Sequence, residues 1–394
     1  MMKYDFDTLP NRKGSDSTKW NVKENELPMW IADMDFEVAL PIQKAILDRA
    51  SHPVYGYPDI PKEWYQAYIR FFHERHSFEI QKDWLIFSTG VVPTISSSVR
   101  KLTNPGDEVV LLTPVYNIFY NSILNNNRVV KEAPLRYFAN SYSIDFPLLE
   151  EALSSEKAKL LILCNPQNPI GKIWSKEDLS EIGRLCEKHH VTVLSDEIHG
   201  EITKPGSSYI PFLSVNETNR KIGFAAISVT KAFNIAGIHT SAIIIPNEEL
   251  RNKVNRQLNT DECAEPNIFA IPASIAALND SCDWLEEMRE YVEKNKEYVY
   301  QFIKENIPTL KAIEQDATYL MWLDISSLTN DDKEFASFLR KETGLFLTAG
   351  SVYGKGGKGF LRMNVATSLS NVKGACCRLL KGVESYSLLK KRNN

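Results

Sequence analysis

Short apolar runs recur along the middle of the chain and predict the strands of a buried sheet. Each run is almost continuously hydrophobic, which is typical of parallel strands that are covered on both faces. Turn residues bound the runs, and Asn104-Pro105-Gly106 stands just before the first of them. The predicted strands are VVLLTP (109–114), KLLILCNP (159–166), VTVLSDE (191–197), AAISVT (225–230) and SAIIIP (241–246).

Amphipathic stretches lie between these runs and predict helices. In KEDLSEIGRLCEKHH (176–190) the apolar residues recur with the helical period, so that one face carries Leu179, Ile182, Leu185 and Cys186. Strands that alternate with helices in this way predict an α/β domain from about residue 50 to about residue 280.

The last third of the chain has a different order of elements. Helices and strands follow one another there without the regular alternation of the middle, which predicts a smaller α+β domain. In order, the predicted elements are a long charged helix (281–305), the strand TYLMWLDI (318–325), a helix near 331–342, the strand GFLRMNVA (359–366) and a final helix.

The segment before residue 50 contains Pro28 and Pro41 and has few periodic positions, so we expect an arm that packs elsewhere. The expected division of the chain has three parts. They are an N-terminal arm with part of the small domain (1–50), a large α/β domain (51–280) and a C-terminal small α+β domain (281–394).

Composition and charge exclude several classes of protein. The 394 residues are 43% hydrophobic and 24% charged, and the net charge of −4 gives no reason to expect nucleic-acid or membrane binding. The first residues lack the apolar core of a signal peptide, and no apolar run is long enough to span a bilayer. Six cysteines form no CxxC pair and no metal-site spacing, so we expect free thiols in the cytoplasm and no bound metal.

Lys231 follows a predicted strand in the string Ser228-Val229-Thr230-Lys231. A lysine in this place can be a desolvated amine, which favours imine formation with a carbonyl compound. The two neighbouring hydroxyls could bind a phosphate group. On its own, however, an S-x-x-K string is more typical of a surface lysine at the start of a loop.

Two further polar residues stand at the carboxyl ends of predicted strands, where ligands bind in parallel α/β sheets. Asp196 could pair with a protonated pyridine nitrogen, although a helix cap or a structural ion pair explains it equally well. Asn168 begins the second of two Asn-Pro steps, at 165–166 and 168–169. Such steps demand a special backbone, for which cis bonds are one solution, and would hold Asn168 ready to contact a ligand.

The remaining candidates are individually weak. Gly90 and Val91 follow the apolar run WLIF (84–87) and begin a predicted helix, whose free N–H groups favour phosphate. Tyr116 follows another strand and could stack on a flat cofactor. Arg362 lies within an apolar strand, where it needs a partner: a substrate carboxylate or a buried acidic side chain of the chain itself.

The order of these residues carries more information than any one of them. It resembles the order in fold-type I pyridoxal-phosphate enzymes, within the class I/II aminotransferase family. The sequence is most similar to the cystathionine β-lyase or C–S lyase branch of that family, over nearly the whole chain. The stretches that carry the closer resemblance are MWIADMDF (29–36), YGY (55–57), STGVVPTI (88–95), TPVYNIFY (113–120), NPQNPIGKIW (165–174), SDEIHGE (195–201) and TKAFNIAG (230–237).

The resemblance implies a role for each matching residue around pyridoxal 5′-phosphate. Lys231 is expected to bind the cofactor as a Schiff base and to move protons at the substrate Cα. Asp196 pairs with the pyridine nitrogen, and Asn168 contacts the ring hydroxyl and helps to form the substrate site. Tyr116 stacks on the ring, and Arg362 holds the substrate α-carboxylate.

The resemblance also assigns a phosphate site. The backbone amides of Gly90 and Val91 and the hydroxyls of Ser228 and Thr230 are expected to bind the phosphate. Tyr57 is expected to reach the phosphate of a neighbouring subunit. The implied active unit is therefore a homodimer with shared active sites and a small amino-acid substrate.

His199 departs from the wider aminotransferase pattern, in which many members have a tyrosine that contacts the ring oxygen. The basic residue that often follows the lysine also has no clear counterpart in AFNIAG (232–237). Both departures resemble the C–S lyase branch, in which His199 is a cofactor-binding residue. The implied reaction is α,β-elimination, in which cystathionine or another cysteine S-conjugate gives a thiol, pyruvate and ammonia, and Lys231 or Tyr116 protonates the thiolate.

Two alternatives stay open at this point. An aminotransferase would use the same lysine up to Cα deprotonation, so the sequence separates the two reactions weakly. A ligand-sensing protein of the same fold would carry an added DNA-binding module. The slightly negative charge and the early start of the resemblance leave no room for such a module.

Overall fold

The computed structural model describes residues 3–393; the first two residues of the expected arm and the last residue of the expected small domain lie outside this range. The strands in this range are β1 (Leu27–Pro28), β2 (Leu85–Ser88), β3 (Glu108–Thr113), β4 (Val129–Pro134), β5 (Arg136–Phe138), β6 (Ser141–Ser143), β7 (Ala158–Cys164), β8 (Thr192–Asp196), β9 (Gly223–Ile227), β10 (Ser241–Ile244), β11 (Lys311–Ala312), β12 (Leu320–Asp324), β13 (Leu345–Phe346), β14 (Thr348–Ala349) and β15 (Phe360–Asn364).

Helices lie on both faces of the largest sheet, and they make up most of the last third of the chain. No helix within residues 3–393 is long and apolar enough to cross a membrane. The α-helices are α1 (Leu40–Ser51), α2 (Lys62–His76), α3 (Val91–Leu102), α4 (Ile118–Leu124), α5 (Phe146–Leu153), α6 (Lys176–Lys188), α7 (Glu217–Ile222), α8 (Val229–Ala232), α9 (Glu248–Thr260), α10 (Ala270–Asp280), α11 (Cys282–Asn306), α12 (Asp332–Thr343) and α13 (Leu369–Asn393).

The central sheet has seven strands in the order β2-β10-β9-β8-β7-β3-β4. The five strands from β9 to β4 run parallel, and β10 is antiparallel to both of its neighbours. Successive residues of β3 enter different hydrophobic clusters: Val109 and Leu111 pack on one face, and Val110 and Leu112 on the other. Burial on both faces explains why these strands have continuous apolar runs.

The five predicted strands of the middle correspond to β3, β7, β8, β9 and β10, and the predicted helix over 176–190 corresponds to α6. All four apolar residues predicted for the inner face of α6 are buried. A capping box closes the start of α6. The Asp178 N–H donates to the Ser175 hydroxyl, and the Ser175 N–H donates to the Asp178 carboxylate. The edge strand β4 has no counterpart among the predicted strands.

The last third forms a four-stranded antiparallel sheet in the order β11-β12-β15-β14, which packs against α11 and α12, and α13 packs on these two helices. The N-terminal segment joins this part of the molecule: β1 pairs with β13, and the Asp35 N–H donates to the Ala366 carbonyl at 3.0 Å. The expected boundaries near residues 50 and 280 stay a prediction.

Candidate active site

The neighbouring parallel strands β7, β8 and β9 bring three predicted site residues to one edge of the central sheet. Asn168 lies in the loop after β7, Asp196 is the last residue of β8, and Lys231 lies in α8, directly after β9. The carboxyl ends of parallel strands meet at the same edge. The topology therefore assembles the residues that the sequence keeps far apart.

Asp196 is almost fully buried, with 4% of its surface exposed. One carboxylate oxygen accepts from the Ile198 N–H at 3.1 Å. Burial raises the pKa of Asp196 to about 7, the charge of Glu197 adds to this rise, and the charge of Lys231 opposes it. A cation held against this carboxyl group would favour its ionised form.

Lys231 is mostly buried, and its Nζ donates to the Ala32 carbonyl at 2.6 Å. Burial lowers the pKa of this amine, and the nearby Arg362 charge lowers it further. The carboxylates of Asp33 and Asp196 act in the opposite direction. A lowered pKa leaves more of the amine neutral, and the neutral amine is the form that attacks a carbonyl compound.

Arg362 lies in the middle of β15 with only 5% of its surface exposed. Its Nη1 donates to Asn168 Oδ1 at 3.2 Å, and its Nη2 donates to the Trp30 carbonyl at 2.9 Å. Its Nε is buried without a hydrogen-bond partner among residues 3–393, and no acidic side chain in that range forms an ion pair with it. The acidic internal partner that the sequence left open is therefore absent from the described chain.

The loop that carries Asn168 is held rigidly. The peptide bonds before Pro166 and Pro169 are cis, as the two Asn-Pro steps allowed. Between them, Gln167 Nε2 donates to the carbonyls of Leu112 and Pro114 at 2.8 and 2.9 Å. These bonds tie the loop to the end of β3 and fix the position of Asn168.

His199 and Tyr116 both lie near the charge of Arg362. His199 is 4% exposed, and burial lowers its pKa to about 3, with the charges of Lys231 and Arg362 acting in the same direction. Its ring is thus neutral, and its Nδ1 has no partner within the described chain. Burial also raises the pKa of Tyr116, which keeps its phenol protonated.

The expected phosphate site is only partly free to bind an anion. The Ser228 hydroxyl donates to the Thr240 carbonyl at 2.6 Å and lies 2.7 Å from Thr230 Oγ1, so both hydroxyls are engaged within the chain. Gly90 caps α3, and the first N–H groups of a helix have no partner inside the helix. The N–H groups of Gly90 and Val91 are the donors best placed for phosphate.

Tyr57 does not join the other predicted residues. It lies in the segment between α1 and α2 with 97% of its surface exposed. Val54 and Tyr55 are exposed beside it, at 62% and 61%. Within one chain, Tyr57 is a surface residue.

Several polar groups of this site fit pyridoxal 5′-phosphate. The buried Asp196 suits a cationic ring nitrogen, and the unpartnered Nδ1 of His199 suits the ring hydroxyl. The start of α3 suits the phosphate, and Lys231 suits the aldehyde. The donors and acceptors of the site thus match the polar groups of this cofactor.

The structure adds residues to the site that the sequence did not single out. Tyr353 lies under the Arg362 guanidinium at 5.0 Å, and the Tyr319 ring lies 6.3 Å from His199. The backbone of residues 30–33 accepts a hydrogen bond from Arg362, and the Asn364 side chain donates to the same backbone. The stretch MWIADMDF (29–36) already carried part of the resemblance, and this was the available signal for the backbone contacts.

Comparison with known proteins decides the family. The family model "Aminotransferase class I and II" matches residues 20–379. The chain belongs to this family. The family was the one expected from the order of Gly90, Tyr116, Asn168, Asp196, Lys231 and Arg362.

Within the class I and II aminotransferases, the chain is similar to two curated proteins. It is 38% identical to the cystathionine β-lyase PatB of Bacillus subtilis, over 95% of this chain and 98% of PatB. It is 30% identical to the protein MalY of Escherichia coli, over 97% of this chain and 99% of MalY. The relation to the cystathionine β-lyase branch, expected from seven short stretches, is confirmed.

Solved structures support the same relation. Cystalysin from Treponema denticola, whose crystal structure contains pyridoxal 5′-phosphate, matches with a TM-score of 0.94 and 31% identity, over 98% of this chain and all of that one. This match confirms the predicted fold-type I architecture, with its mostly parallel sheet flanked by helices and its smaller strand-rich part.

Proposed function

We propose that this protein is a pyridoxal 5′-phosphate-dependent carbon–sulfur lyase. It cleaves the Cβ–S bond of cystathionine or another cysteine S-conjugate and gives a thiol, pyruvate and ammonia. The observation that carries the proposal is the buried, desolvated amine of Lys231 beside Asp196 and Arg362, in a chain that resembles a cystathionine β-lyase over 95% of its length.

Lys231 would hold the cofactor, and Asp196 would pair with its ring nitrogen. Asn168 and the neutral His199 would contact the ring hydroxyl, and Tyr116 would stack on the ring. When bound, pyridoxal 5′-phosphate would supply an electron sink for the electron pair left at the substrate Cα. The lowered pKa of Lys231 leaves its amine free to remove the Cα proton.

Four groups of the chain would hold the phosphate: the N–H groups of Gly90 and Val91 and the hydroxyls of Ser228 and Thr230. The hydroxyls would have to exchange at least one of their present bonds for one to the phosphate. The helix start needs no such exchange, so we assign it the larger share of the binding.

Arg362 would bind the substrate α-carboxylate. Its guanidinium is buried, its Nε is unpartnered in the described chain, and its other two nitrogens are fixed by Asn168 and Trp30. A fixed and desolvated guanidinium binds a carboxylate strongly. It therefore selects amino acids and orients Cα toward Lys231.

The leaving thiolate needs a proton. Tyr116 keeps its proton because burial raises the pKa of its phenol, and its ring shares the site with Asp196 and Arg362. Lys231 can return the proton that it took from Cα. Either residue can protonate the sulfur.

We further infer a homodimer with shared active sites, in which Tyr57 completes the phosphate site of the partner subunit. The almost complete exposure of Tyr57, together with that of Val54 and Tyr55, supports this inference. The six cysteines are all free in the structure, which suits a reducing, cytoplasmic location.

The experiment that separates the lyase from an aminotransferase is incubation of the purified holoenzyme with L-cystathionine. A lyase releases pyruvate and free thiol in equal amounts without any added 2-oxo acid. Strict dependence on an added 2-oxo acid would make the protein an aminotransferase. The Lys231→Ala variant is the matched control, and we expect its turnover to fall by about 10²–10⁴-fold.

A further inference from the structure

The backbone of residues 30–33 accepts hydrogen bonds from two basic side chains of the site. The Trp30 carbonyl accepts from Arg362 Nη2 at 2.9 Å. The Ala32 carbonyl accepts from Lys231 Nζ at 2.6 Å. One short stretch of main chain thus locates both the proposed carboxylate-binding group and the reactive amine.

The same stretch is bound to the small-domain sheet. The amide of Asn364 donates to the carbonyls of Ile31 and Asp33 at 2.7 and 2.8 Å. The Thr348 hydroxyl donates to the Trp30 carbonyl at 2.8 Å. All four carbonyls of the 30–33 backbone are therefore hydrogen-bonded to side chains.

A buried ion pair holds the 30–33 backbone from its other side. The Lys19 ammonium lies 2.8 Å from Asp35 Oδ2, and the two side chains are 1% and 2% exposed. Lys19 Nζ also donates to the Asp33 carbonyl at 2.9 Å. Asp35 Oδ1 accepts from Arg12 Nη1 at 3.0 Å and from Trp20 Nε1 at 2.7 Å.

Such a pair is stable because each charge has further hydrogen bonds, and removal of one partner leaves a buried charge uncompensated. Lys19 donates to Asp35 and to the Asp33 carbonyl, not to Lys231, Asp196 or Arg362. It therefore has no direct part in the chemistry of the site. What the pair can do is fix the direction of the carbonyls that face Arg362 and Lys231.

We propose that Lys19 and Asp35 are positioning residues of the active site. They act through the 30–33 backbone on Arg362, and so on substrate carboxylate binding, and on the placement of Lys231. The inference rests on the proposed function, since it takes Arg362 as the carboxylate-binding residue. A displacement of about 1 Å at a reacting group can cost about 10²-fold in rate, so small movements of this backbone matter.

The test uses the holoenzyme and the variant Lys19→Met, which removes the ammonium and keeps most of the apolar stem. L-Alanine binds like a substrate but has no leaving group at Cβ, so its dissociation constant can be read from the cofactor absorbance without turnover. We expect Lys19→Met to raise this constant by about tenfold, which is the loss expected when one charge-assisted contact is weakened.

Arg128→Met is the matched control. Arg128 is also a buried cation, and it bonds to Thr103 and to nearby carbonyls beyond the C-terminal end of α3. We expect it to lower the thermal midpoint while the L-alanine constant stays within about twofold of the wild type. Lys19→Met is expected to change both.

The partner variants make the outcome decisive. Asp35→Asn should resemble Lys19→Met, and the double variant should be little worse than either, because the two residues act as one unit. If Lys19→Met does not fold, Thr348→Val removes one bond to the Trp30 carbonyl without removing a charge and should still weaken L-alanine binding.

A purely structural pair would behave differently. Lys19→Met, or Thr348→Val in its place, would then change the thermal midpoint and leave the L-alanine constant unchanged, and this result would overturn the proposal. Failure of the proposed function is a separate result: the wild type would bind the cofactor and L-alanine but release no pyruvate from L-cystathionine.

Discussion

At the scale of single residues, burial explains most of the site's chemistry. Asp196 and His199 are buried and Lys231 is partly buried, and in each case burial is the largest cause of the shifted pKa. The shift favours the neutral form of each group. A cofactor that supplies a cationic nitrogen and an anionic phosphate would restore the charges that burial suppresses.

Asp196 gives the cofactor-free protein a measurable pH dependence. Its pKa is about 7 when folded and 3.8 ordinarily, so between these values the folded chain holds a proton that the unfolded chain has lost. The contribution of Asp196 to the free energy of unfolding therefore falls as the pH rises from about 4 to about 7, by up to about 1.4 kcal/mol per pH unit for one proton. We expect Asp196→Asn to remove this part of the slope, measured as urea unfolding of apoprotein at several pH values.

Neighbouring groups supply the controls for that measurement. Glu197 also has a pKa raised by burial to about 7, so Glu197→Gln should remove a slope of the same sign. His199, with its pKa lowered from 6.5 to about 3, contributes the opposite slope between those values in every variant. Equal slopes for the wild type and Asp196→Asn would show that the aspartate ionises normally in the folded apoprotein.

At the scale of elements, the start of α3 can be tested through its N–H groups. Val91 is the first residue of the helix, where proline is tolerated because that N–H has no intrahelical partner. Val91→Pro should therefore keep the helix and remove one phosphate donor. A hydrogen bond to a charged group contributes about 1.5–3 kcal/mol to binding. The dissociation constant of the cofactor should therefore rise roughly 10- to 100-fold.

Val91→Ala is the control for lost packing, because the valine side chain is buried and alanine keeps the N–H. Cofactor dissociation constants of the two variants, measured by fluorescence during dialysis against free cofactor, isolate the donor. Equal constants would mean that the phosphate is held elsewhere, for instance by the hydroxyls of Ser228 and Thr230.

Gly171 joins the Asn168 loop to the small domain. It has φ +63°, and a Cβ there would lie 2.6 Å from the Ala317 carbonyl oxygen and 2.7 Å from the Gln315 side chain. Gly106 also has a positive φ, +88°, but open space around it. We expect Gly106→Ala to lower the free energy of unfolding by about 1–2 kcal/mol, because alanine disfavours a positive φ. Gly171→Ala should lower it by about 1–3 kcal/mol more, because its Cβ also clashes with Ala317 and Gln315.

Urea unfolding of both glycine variants measures the difference directly. Gly171→Ala should also reduce kcat/KM, because the strain acts on the loop that fixes Asn168. Gly106→Ala should leave kcat/KM unchanged. Equal losses of unfolding free energy in the two variants would show that the Asn168 loop can move away from Ala317 without any loss of stability.

The elements that the sequence predicted are those whose burial leaves a pattern. The strands β3, β7 and β8 are buried on both faces and read as apolar runs, and α6 has one buried face. The edge strand β4 was not predicted, because its residues are mixed and Val129 is 46% exposed. Pairing at a sheet edge needs backbone groups alone, which leave little trace in side-chain type.

The same limit applies to the site. The order of Asn168, Asp196, Lys231 and Arg362 could be recognised because their side chains carry the chemistry. The contacts of Lys231 and Arg362 with the carbonyls of the 30–33 backbone could not, since every residue has a carbonyl. The engagement of Ser228 with Thr240 was hidden for the same reason.

At the scale of the whole molecule, one predicted site residue, Tyr57, has no place in the site of its own chain. Tyr57 is 97% exposed, whereas the other predicted residues gather at the edge of the central sheet or close to it. If the proposed dimer shares its sites, Lys231 and Tyr57 of any one site come from different subunits. Two inactive variants can then complement each other.

Mixing Lys231→Ala and Tyr57→Ala subunits tests this arrangement. Random reassociation makes half of the dimers hybrids, and each hybrid has one site with both native residues and one with neither. At a cofactor concentration that leaves the Tyr57→Ala sites empty, each parent is nearly inactive, and the mixture should return to about a quarter of the wild-type activity. Mixing either variant with itself gives no recovery. If the hybrids stay as inactive as their parents while sedimentation shows that they form, Tyr57 serves its own chain or no site at all, and the shared active site is wrong.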